Sequence, residues 1–181
     1  MENKGQNNSP KIYVACLAAY NSGQLHGEWI AADQETQEIY ADIKSMLNKS
    51  PEPFAEEWAV HDYEGFGTIS LSEWPDIERV STLAKLIVAH GEPFSPWYQN
   101  QDGDNFECSE LEDLFLEQWQ GAYESETDFA YKLLEESGQL SALPVWAQNY
   151  FDYESYARDL KLSGDFSFTR HSCQTYVFRN C

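Results

Sequence analysis

The distribution of charge restricts this chain more than any other feature of its sequence. Residues 50–131 contain nineteen acidic side chains and only two basic ones, Arg79 and Lys85, which gives this stretch a net charge of −17. The whole chain of 181 residues carries −20. Residues 86–131 contain no lysine or arginine at all. Repulsion among so many like charges destabilises a compact state. We therefore infer that the charge serves a function other than stability.

The acidic stretch is also rich in large aromatic side chains. They are Trp58, Tyr63, Phe66, Trp74, Trp97, Tyr98, Phe106, Phe115, Trp119 and Tyr123. A disordered acidic tract lacks such residues, so we predict that this one folds. A charge run is usually only a solvated face, and a halophile spreads acids over its whole surface. Here, residues 1–49 and 132–181 carry only −2 and −1, which favours an organised display of charge.

An organised acidic surface predicts a basic partner and excludes direct binding of nucleic acid, which requires lysine and arginine. At the charge density of B-DNA, seventeen charges correspond to ~29 Å of duplex. Carboxylates three or four residues apart on a helix lie about 5–6 Å from each other, and residues 107–119 are predicted to supply such rows. The predicted partner-binding carboxylates are Glu56, Glu57, Asp62, Glu64, Glu73, Asp76, Glu78, Asp102, Asp104, Glu107, Glu110, Glu112, Asp113, Glu117, Glu124, Glu126 and Asp128.

Hydrophobic periodicity and turn residues predict an α+β fold. Strands are predicted at 11–20, 24–32 and 56–67, and a hairpin at 165–179. Helices are predicted at 34–49, 76–91, 109–123, 126–140 and 152–160, with an irregular connection at 92–105.

Catalytic and metal-binding patterns are weak. His61-Asp62 with Glu64 is the tightest polar cluster, but no Gly-x-Ser-x-Gly or His-Glu-x-x-His motif accompanies it. A small hydrolase built on His61 and Asp62 is therefore a minor alternative. Residues 102–107 resemble the start of an EF-hand loop but lack its glycine and its final glutamate. We predict no enzymatic activity, no cofactor and no metal.

The cysteines and the hydropathy indicate the compartment. Four cysteines without a Cys-x-x-Cys pair predict free thiols. No apolar run of 18 residues occurs, and the first ten residues are polar without a signal sequence. The sequence therefore predicts a soluble, cytoplasmic protein that does not contact a membrane.

Residues 11–30, 59–66 and 133–160 resemble the ArdA family of antirestriction proteins. The segment at 11–30, KIYVACLAAYNSGQLHGEWI, is similar to the family's opening, and AVHDYEGF at 59–66 to an internal segment. Residues 133–160, with YFDYESYARDL at their end, resemble the family's antirestriction motif. The three stretches occur in the same order as in the family and are spread over nearly the full length of the chain.

The resemblance implies a fold and a function. Proteins of this family are carried by plasmids and conjugative transposons and protect incoming DNA from type I restriction. They are elongated homodimers that occupy the DNA groove formed by the specificity and modification subunits. The family's boundaries imply three domains, 1–74 (sheet plus helix), 75–112 (small, helical and acidic) and 113–181 (mixed α/β). The alternative is an acidic adaptor that binds basic proteins without groove mimicry.

The motif is close to charge-balanced, so we assign it to folding or dimer geometry rather than to mimicry, and we predict that its aromatic residues lie in the core. Its residues are Tyr150, Phe151, Asp152, Tyr153, Glu154, Tyr156, Arg158 and Asp159. Candidate dimer surfaces are the segment Thr175–Phe178 and the predicted helix at 126–134.

Overall fold

The computed structural model describes residues 9–180, so most of the polar N-terminal extension and Cys181 lie outside the described residues. The chain divides into two compact units, the first ending at Leu111 and the second beginning at Glu112. The described residues form eight α-helices and two three-stranded antiparallel sheets, which confirms the predicted α+β class. The division into three domains stays a prediction.

The first unit is a sheet with helices. Its elements are β1 (Lys11–Cys16), α1 (Leu17–Asn21), β2 (Gly27–Ala31), α2 (Thr36–Asn48), β3 (Trp58–Glu64), α3 (Ile77–His90) and α4 (Phe94–Asn100). The antiparallel sheet has the order β2-β1-β3. Ile12 and Val14 of the central strand are fully buried. The predicted apolar face of α2 is confirmed, because Ile39, Ile43 and Met46 are buried at helical spacing.

The structure corrects two predictions in the first unit. The predicted strand at 11–20 ends at Cys16, and the alanine-rich segment after it forms α1, since alanine favours a helix over a strand. The predicted connection at 92–105 contains α4. Phe94, Trp97 and Tyr98 are buried along that helix, and the proline at its third position is tolerated because first-turn amides have no helical acceptor.

The second unit also combines a sheet with helices. Its elements are α5 (Leu111–Gln118), β4 (Trp119–Tyr123), α6 (Glu126–Glu136), α7 (Val145–Gln148), α8 (Tyr153–Ser163), β5 (Phe166–His171) and β6 (Gln174–Arg179). The sheet order is β4-β6-β5, so the predicted hairpin is confirmed as β5 and β6. Because β6 is central and Thr175–Phe178 are at most 3% exposed, the prediction of a dimer surface on that segment is wrong.

The predicted helix at 109–123 is shorter than expected and is followed by a strand. Helix α5 ends at Gln118, and Trp119 begins β4, which pairs with β6. Gly121 has a φ of 124°, a conformation that interrupts a helix and accommodates the irregularity in the β4–β6 pairing. The Trp119 ring lies 5.1 Å from that of Phe178, so tertiary packing of the ring favours the strand.

Helix ends in the second unit follow their sequence signals. Ser125 caps α6 by accepting the Asp128 amide, and the helix ends at Glu136, just before Ser137 and Gly138 and earlier than the predicted residue 140. Asp152 caps α8 in the same way through Ser155, and Gly164 ends it in a left-handed conformation. No helix within residues 9–180 is long and apolar enough to cross a membrane.

Candidate partner-binding surface

The predicted carboxylates lie at the surface. Of the seventeen, fifteen are exposed and two, Glu126 and Asp128, are partly exposed. In the first unit they lie just before β3 and on it, between β3 and α3, at the start of α3 and in the turns after α4. In the second unit they lie on α5 and around the start of α6.

Several of these carboxylates have structural partners. Glu64 pairs with Lys11 at 3.0 Å, and Glu126 pairs with Lys161 of α8 at 2.7 Å. Asp76 caps α3 by accepting the Glu78 amide. Further acceptors of hydrogen bonds are Asp62, Asp104, Glu110 and Asp128. These groups contribute to local structure as well as to charge.

A second set of carboxylates has no ion pair or hydrogen bond to other residues of the described part of the chain. This unpaired set consists of Glu56, Glu57, Glu73, Glu78, Asp102, Glu107, Asp113, Glu117 and Glu124. No side chain of the described residues neutralises their charge, so it contributes to the field around the protein. Such a surface attracts cations.

Both bases of the acidic stretch are used inside the first unit. Lys85 of α3 pairs with Glu35 at 2.7 Å, an acid outside the acidic stretch. The Arg79 guanidinium donates to the carbonyl oxygens of Phe106 and Gly103 at 2.6 and 3.2 Å. Neither cation therefore pairs with a carboxylate of the unpaired set.

Arg79 is the centre of a hydrogen-bonded cluster that holds the acidic turn at 102–107, which we call the Arg79 clamp. Besides the two carbonyls, it donates to the Tyr98 hydroxyl at 3.0 Å, and that hydroxyl donates to Asp104 at 2.7 Å. Gly103 lies so close to the Tyr98 ring that a Cβ there would overlap with it. The clamp thus fixes the backbone between Asp102 and Glu107, two members of the unpaired set.

The Tyr98 hydroxyl stays protonated at physiological pH. Burial, followed by the hydrogen bond to Asp104, raises the pKa of Tyr98 to about 12. A folded-state pKa above the unfolded value of about 10 stabilises the fold below pH ~10, and this contribution is lost as the pH rises through about 12. The clamp is therefore sensitive to alkali and insensitive to pH near neutrality.

Replacing Tyr98 by phenylalanine should remove this alkaline dependence. We expect the free energy of unfolding of the wild type to fall more steeply between pH 10 and about 12 than that of Tyr98→Phe, because only the wild type must release the retained proton. Urea titrations at several pH values measure both slopes. Tyr40→Phe on the exposed face of α2 is the control and should keep the wild-type slope. Equal slopes for Tyr98→Phe and wild type would contradict the clamp.

The predicted carboxylate rows at 107–119 are only partly helical. Helix α5 begins at Leu111, so Glu107 and Glu110 precede it, and the Glu107 amide donates to the Glu110 side chain. Asp113 and Glu117 keep the predicted i, i+4 spacing on the helix. The expected continuous row is therefore wrong over its first half, because Glu110 is used to hold the turn.

Among the described residues, the candidate catalytic and metal-binding side chains are not arranged as a site. The His61 ring packs edge-on against Tyr20 at 5.0 Å, whereas the Asp62 carboxylate accepts the Tyr63 amide at 2.8 Å, so the two side chains do not form a dyad. In the EF-hand-like segment, Asp104 is held by Tyr98. The described residues contain no group of three or more histidine, cysteine or acidic side chains placed to hold a metal. Cys16, Cys108 and Cys173 are free.

The motif at 133–160 contributes to the packing of the second unit. The Ser155 amide and hydroxyl donate to Asp152 and lower the pKa of its carboxyl group. The Tyr153 ring packs against the rings of Tyr131 of α6 and Phe151, with ring centroids 5.3 and 5.0 Å apart. Tyr150 is 84% exposed, so its prediction as a core residue is wrong.

The remaining motif residues are half-buried or exposed. Tyr156 is partly buried against Phe151, with ring centroids 5.8 Å apart. Glu154 is exposed, and Arg158 and Asp159 are exposed neighbours with 3.8 Å between Nε and Oδ1. At that distance and exposure the pair contributes little to stability.

Two features of this surface are not among those predicted from the sequence. The roles of Arg79 and Tyr98 were not predicted, although an arginine in so acidic a stretch signals a local structural use. Trp74 is one of the aromatic residues from which a folded acidic stretch is predicted, yet its side chain is 66% exposed. The signal for its exposure is its position between two acids and a proline, in the sequence Ser-Glu-Trp-Pro-Asp.

Comparison with known proteins agrees with the sequence resemblance. A family model described as antirestriction protein (ArdA) matches residues 12–175, which is most of the chain. A search of curated proteins found no significant match. The function of the matched family is antirestriction, so restriction-modification enzymes are its targets in general. The chain belongs to the ArdA family of antirestriction proteins.

Proposed function

We propose that this protein is a DNA mimic that occupies the DNA-binding groove of a type I restriction-modification enzyme. The groove is formed by the specificity and modification subunits, and occupation competes with duplex DNA for both restriction and modification. The observation that carries the proposal is the unpaired set, whose charge no lysine or arginine of the described chain neutralises. Inhibition by occupation requires no catalytic residue, no cofactor and no metal.

The mechanism is an exchange of one set of anions for another. Lysine and arginine side chains that line a DNA groove are arranged to bind phosphates. Strands, helices and the Arg79 clamp hold the backbone that carries the carboxylates. Because this backbone is ordered before binding, less conformational entropy is lost than with an unfolded acidic segment. Long-range attraction between the opposite charges accelerates association and makes it sensitive to salt.

A homodimer extends the charge that one chain can offer. Two copies carry −40, the charge of ~20 base pairs of B-DNA. A run of that length suits a recognition site in two parts. In this proposal the dimer acts in the cytoplasm of a bacterial host and protects incoming plasmid or transposon DNA.

A competition titration tests the proposal. A purified type I methyltransferase core is bound to labelled duplex that carries its site, and the protein is added at 50 and 200 mM salt. We expect stoichiometric displacement by one dimer for each enzyme and a steep loss of affinity at the higher salt, because the contacts are ionic.

The outcomes separate groove mimicry from the acidic adaptor. An adaptor binds the enzyme without releasing the duplex, and it binds basic proteins that have no DNA groove. Lysozyme is a suitable basic protein for that comparison. A folded protein that fails to displace the duplex, or binds both proteins equally, contradicts groove mimicry.

A further inference from the structure

The first unit contains an open cleft beside the exposed ring of Trp74. Its volume is ≈ 570 Å³, and it is lined by Leu17, Glu56, Glu57, Trp58, Trp74 and Pro75. The Trp74 side chain is 66% exposed, and the carboxylates of Glu56 and Glu57 belong to the unpaired set. The lining therefore combines two indole rings with two carboxylates that have no partner in the described chain.

Backbone hydrogen bonds hold the walls of the cleft in place. The Leu17 amide donates to the Glu57 carbonyl at 3.0 Å, which ties α1 to the start of β3. The Val60 amide donates to the Glu73 carbonyl at 2.9 Å, which fixes the residue before Trp74 against β3. Asp76, two residues after Trp74, caps α3. The backbone that carries the lining side chains is consequently in place before a partner binds, which lowers the entropy lost on filling the cleft.

The chemistry of the lining selects a cation with a flat face. Indole is the ring that binds cations most strongly over its face. A guanidinium group is planar and weakly hydrated, stacks on aromatic rings and bonds carboxylates with two parallel donors, whereas an ammonium group is strongly hydrated. The chain already contains a contact of this general type, since Lys11 Nζ lies 4.7 Å from the centre of the Trp29 ring.

We propose that the cleft at Trp74 receives an arginine side chain of the partner, with its guanidinium against indole and its donors on Glu56 or Glu57. The identity of the partner rests on the proposed function, in which the enzyme groove supplies the arginine. In this arrangement the Trp74 ring adds to the preference for arginine over lysine that the carboxylates already give through paired donors. An exposed tryptophan in an acidic surface thereby has a binding role.

Nuclear magnetic resonance of the indole groups tests the cleft without the enzyme. The full ¹⁵N-labelled chain has six tryptophans, and Trp74→Phe assigns the resonance of Trp74. N-acetyl-arginine methylamide should shift this resonance at least about threefold more than the lysine analogue at equal concentration. The double variant Glu56→Gln/Glu57→Gln should lose most of the shift. Equal shifts with both amides, or none with either, would overturn the proposal.

Binding to the methyltransferase core gives a second measurement. Trp74→Leu should weaken displacement of duplex DNA about 3- to 30-fold, the loss expected for one desolvated cation–π contact. Tyr40→Leu removes an aromatic side chain that is 49% exposed on α2 and should change nothing. Unchanged displacement by Trp74→Leu would overturn the assignment of the cleft to this partner.

The two measurements separate the cleft from the proposed function. A Trp74 resonance that prefers arginine, in a protein that does not displace duplex DNA, supports the cleft and contradicts the proposed function. Displacement by the wild type without any arginine preference at Trp74 supports the proposed function and overturns the cleft.

Discussion

Neutralising four unpaired carboxylates of the first unit should weaken displacement of duplex DNA from a type I methyltransferase core about 50-fold. The variant combines Glu56→Gln, Glu57→Gln, Glu73→Gln and Glu78→Gln. Each exposed ion pair with the partner contributes about 0.2–1 kcal/mol, so four together correspond to roughly a 4- to 900-fold change. The dependence of displacement on salt should become weaker in the same variant, because fewer ionic contacts remain. The competition titration at two salt concentrations measures both changes.

A second variant removes the same charge from the motif at 133–160. It combines Glu135→Gln, Glu136→Gln, Glu154→Gln and Asp159→Asn, all of which are exposed. Because we assign the motif to folding and dimer geometry, displacement should change less than about threefold. Circular dichroism and light scattering establish that both variants remain folded and of wild-type size. Equal losses in the two variants would show that net charge, rather than the position of the carboxylates, determines binding.

Neutralising a single carboxylate should have only a small effect on displacement of duplex DNA. The binding energy is distributed over many exposed pairs, so no single carboxylate is expected to change displacement more than about fivefold. This expectation distinguishes a charged surface from an interface with a few dominant contacts. Abolition of inhibition by the charge-neutralising substitution of one carboxylate would contradict the distributed arrangement.

Elements with strong local signals could be predicted from the sequence. Helix α3 follows the apolar face, the aspartate cap and the terminal glycine of residues 76–91, and the observed helix is Ile77–His90. The β5–β6 hairpin follows alternation of apolar and polar residues. The surface position of the seventeen carboxylates follows from their charge alone, since unpaired charges are rarely buried.

Features that depend on distant partners could not be predicted. Strand β4 continues directly from α5 because Trp119 packs against β6, more than 50 residues further along the chain. The Arg79 clamp joins α3 to residues 19–27 positions later. No local pattern encodes those distances. The same limit applies to Trp74, whose exposure depends on the pairing of residue 73 with β3.

Replacing Arg79 by methionine should lower the free energy of unfolding of the first unit by about 2–4 kcal/mol. The carbonyls of Gly103 and Phe106 and the hydroxyl of Tyr98 would each lose a charged donor. Partly buried acceptors without partners account for most of the loss. Hydrogen exchange measures the effect locally, because the amides of Asn105 and Phe106 are bonded within the clamped turn and should lose protection.

Lys85→Met is the matched control, since it removes one positive charge from the same helix. Its exposed pair with Glu35 contributes about 1 kcal/mol at most, so stability and exchange in the turn at 102–107 should stay close to wild type. The stability of Arg79→Lys should fall between those of Arg79→Met and Lys85→Met, because an ammonium group cannot reproduce the planar set of donors. If Arg79→Met and Lys85→Met have equal effects, the loss of a cation from an acidic surface explains both, and the clamp does not order the turn. A larger loss of exchange protection in Arg79→Met, confined to the turn at 102–107, means that Arg79 holds the acidic residues of this turn in position. It does so without neutralising the unpaired carboxylates.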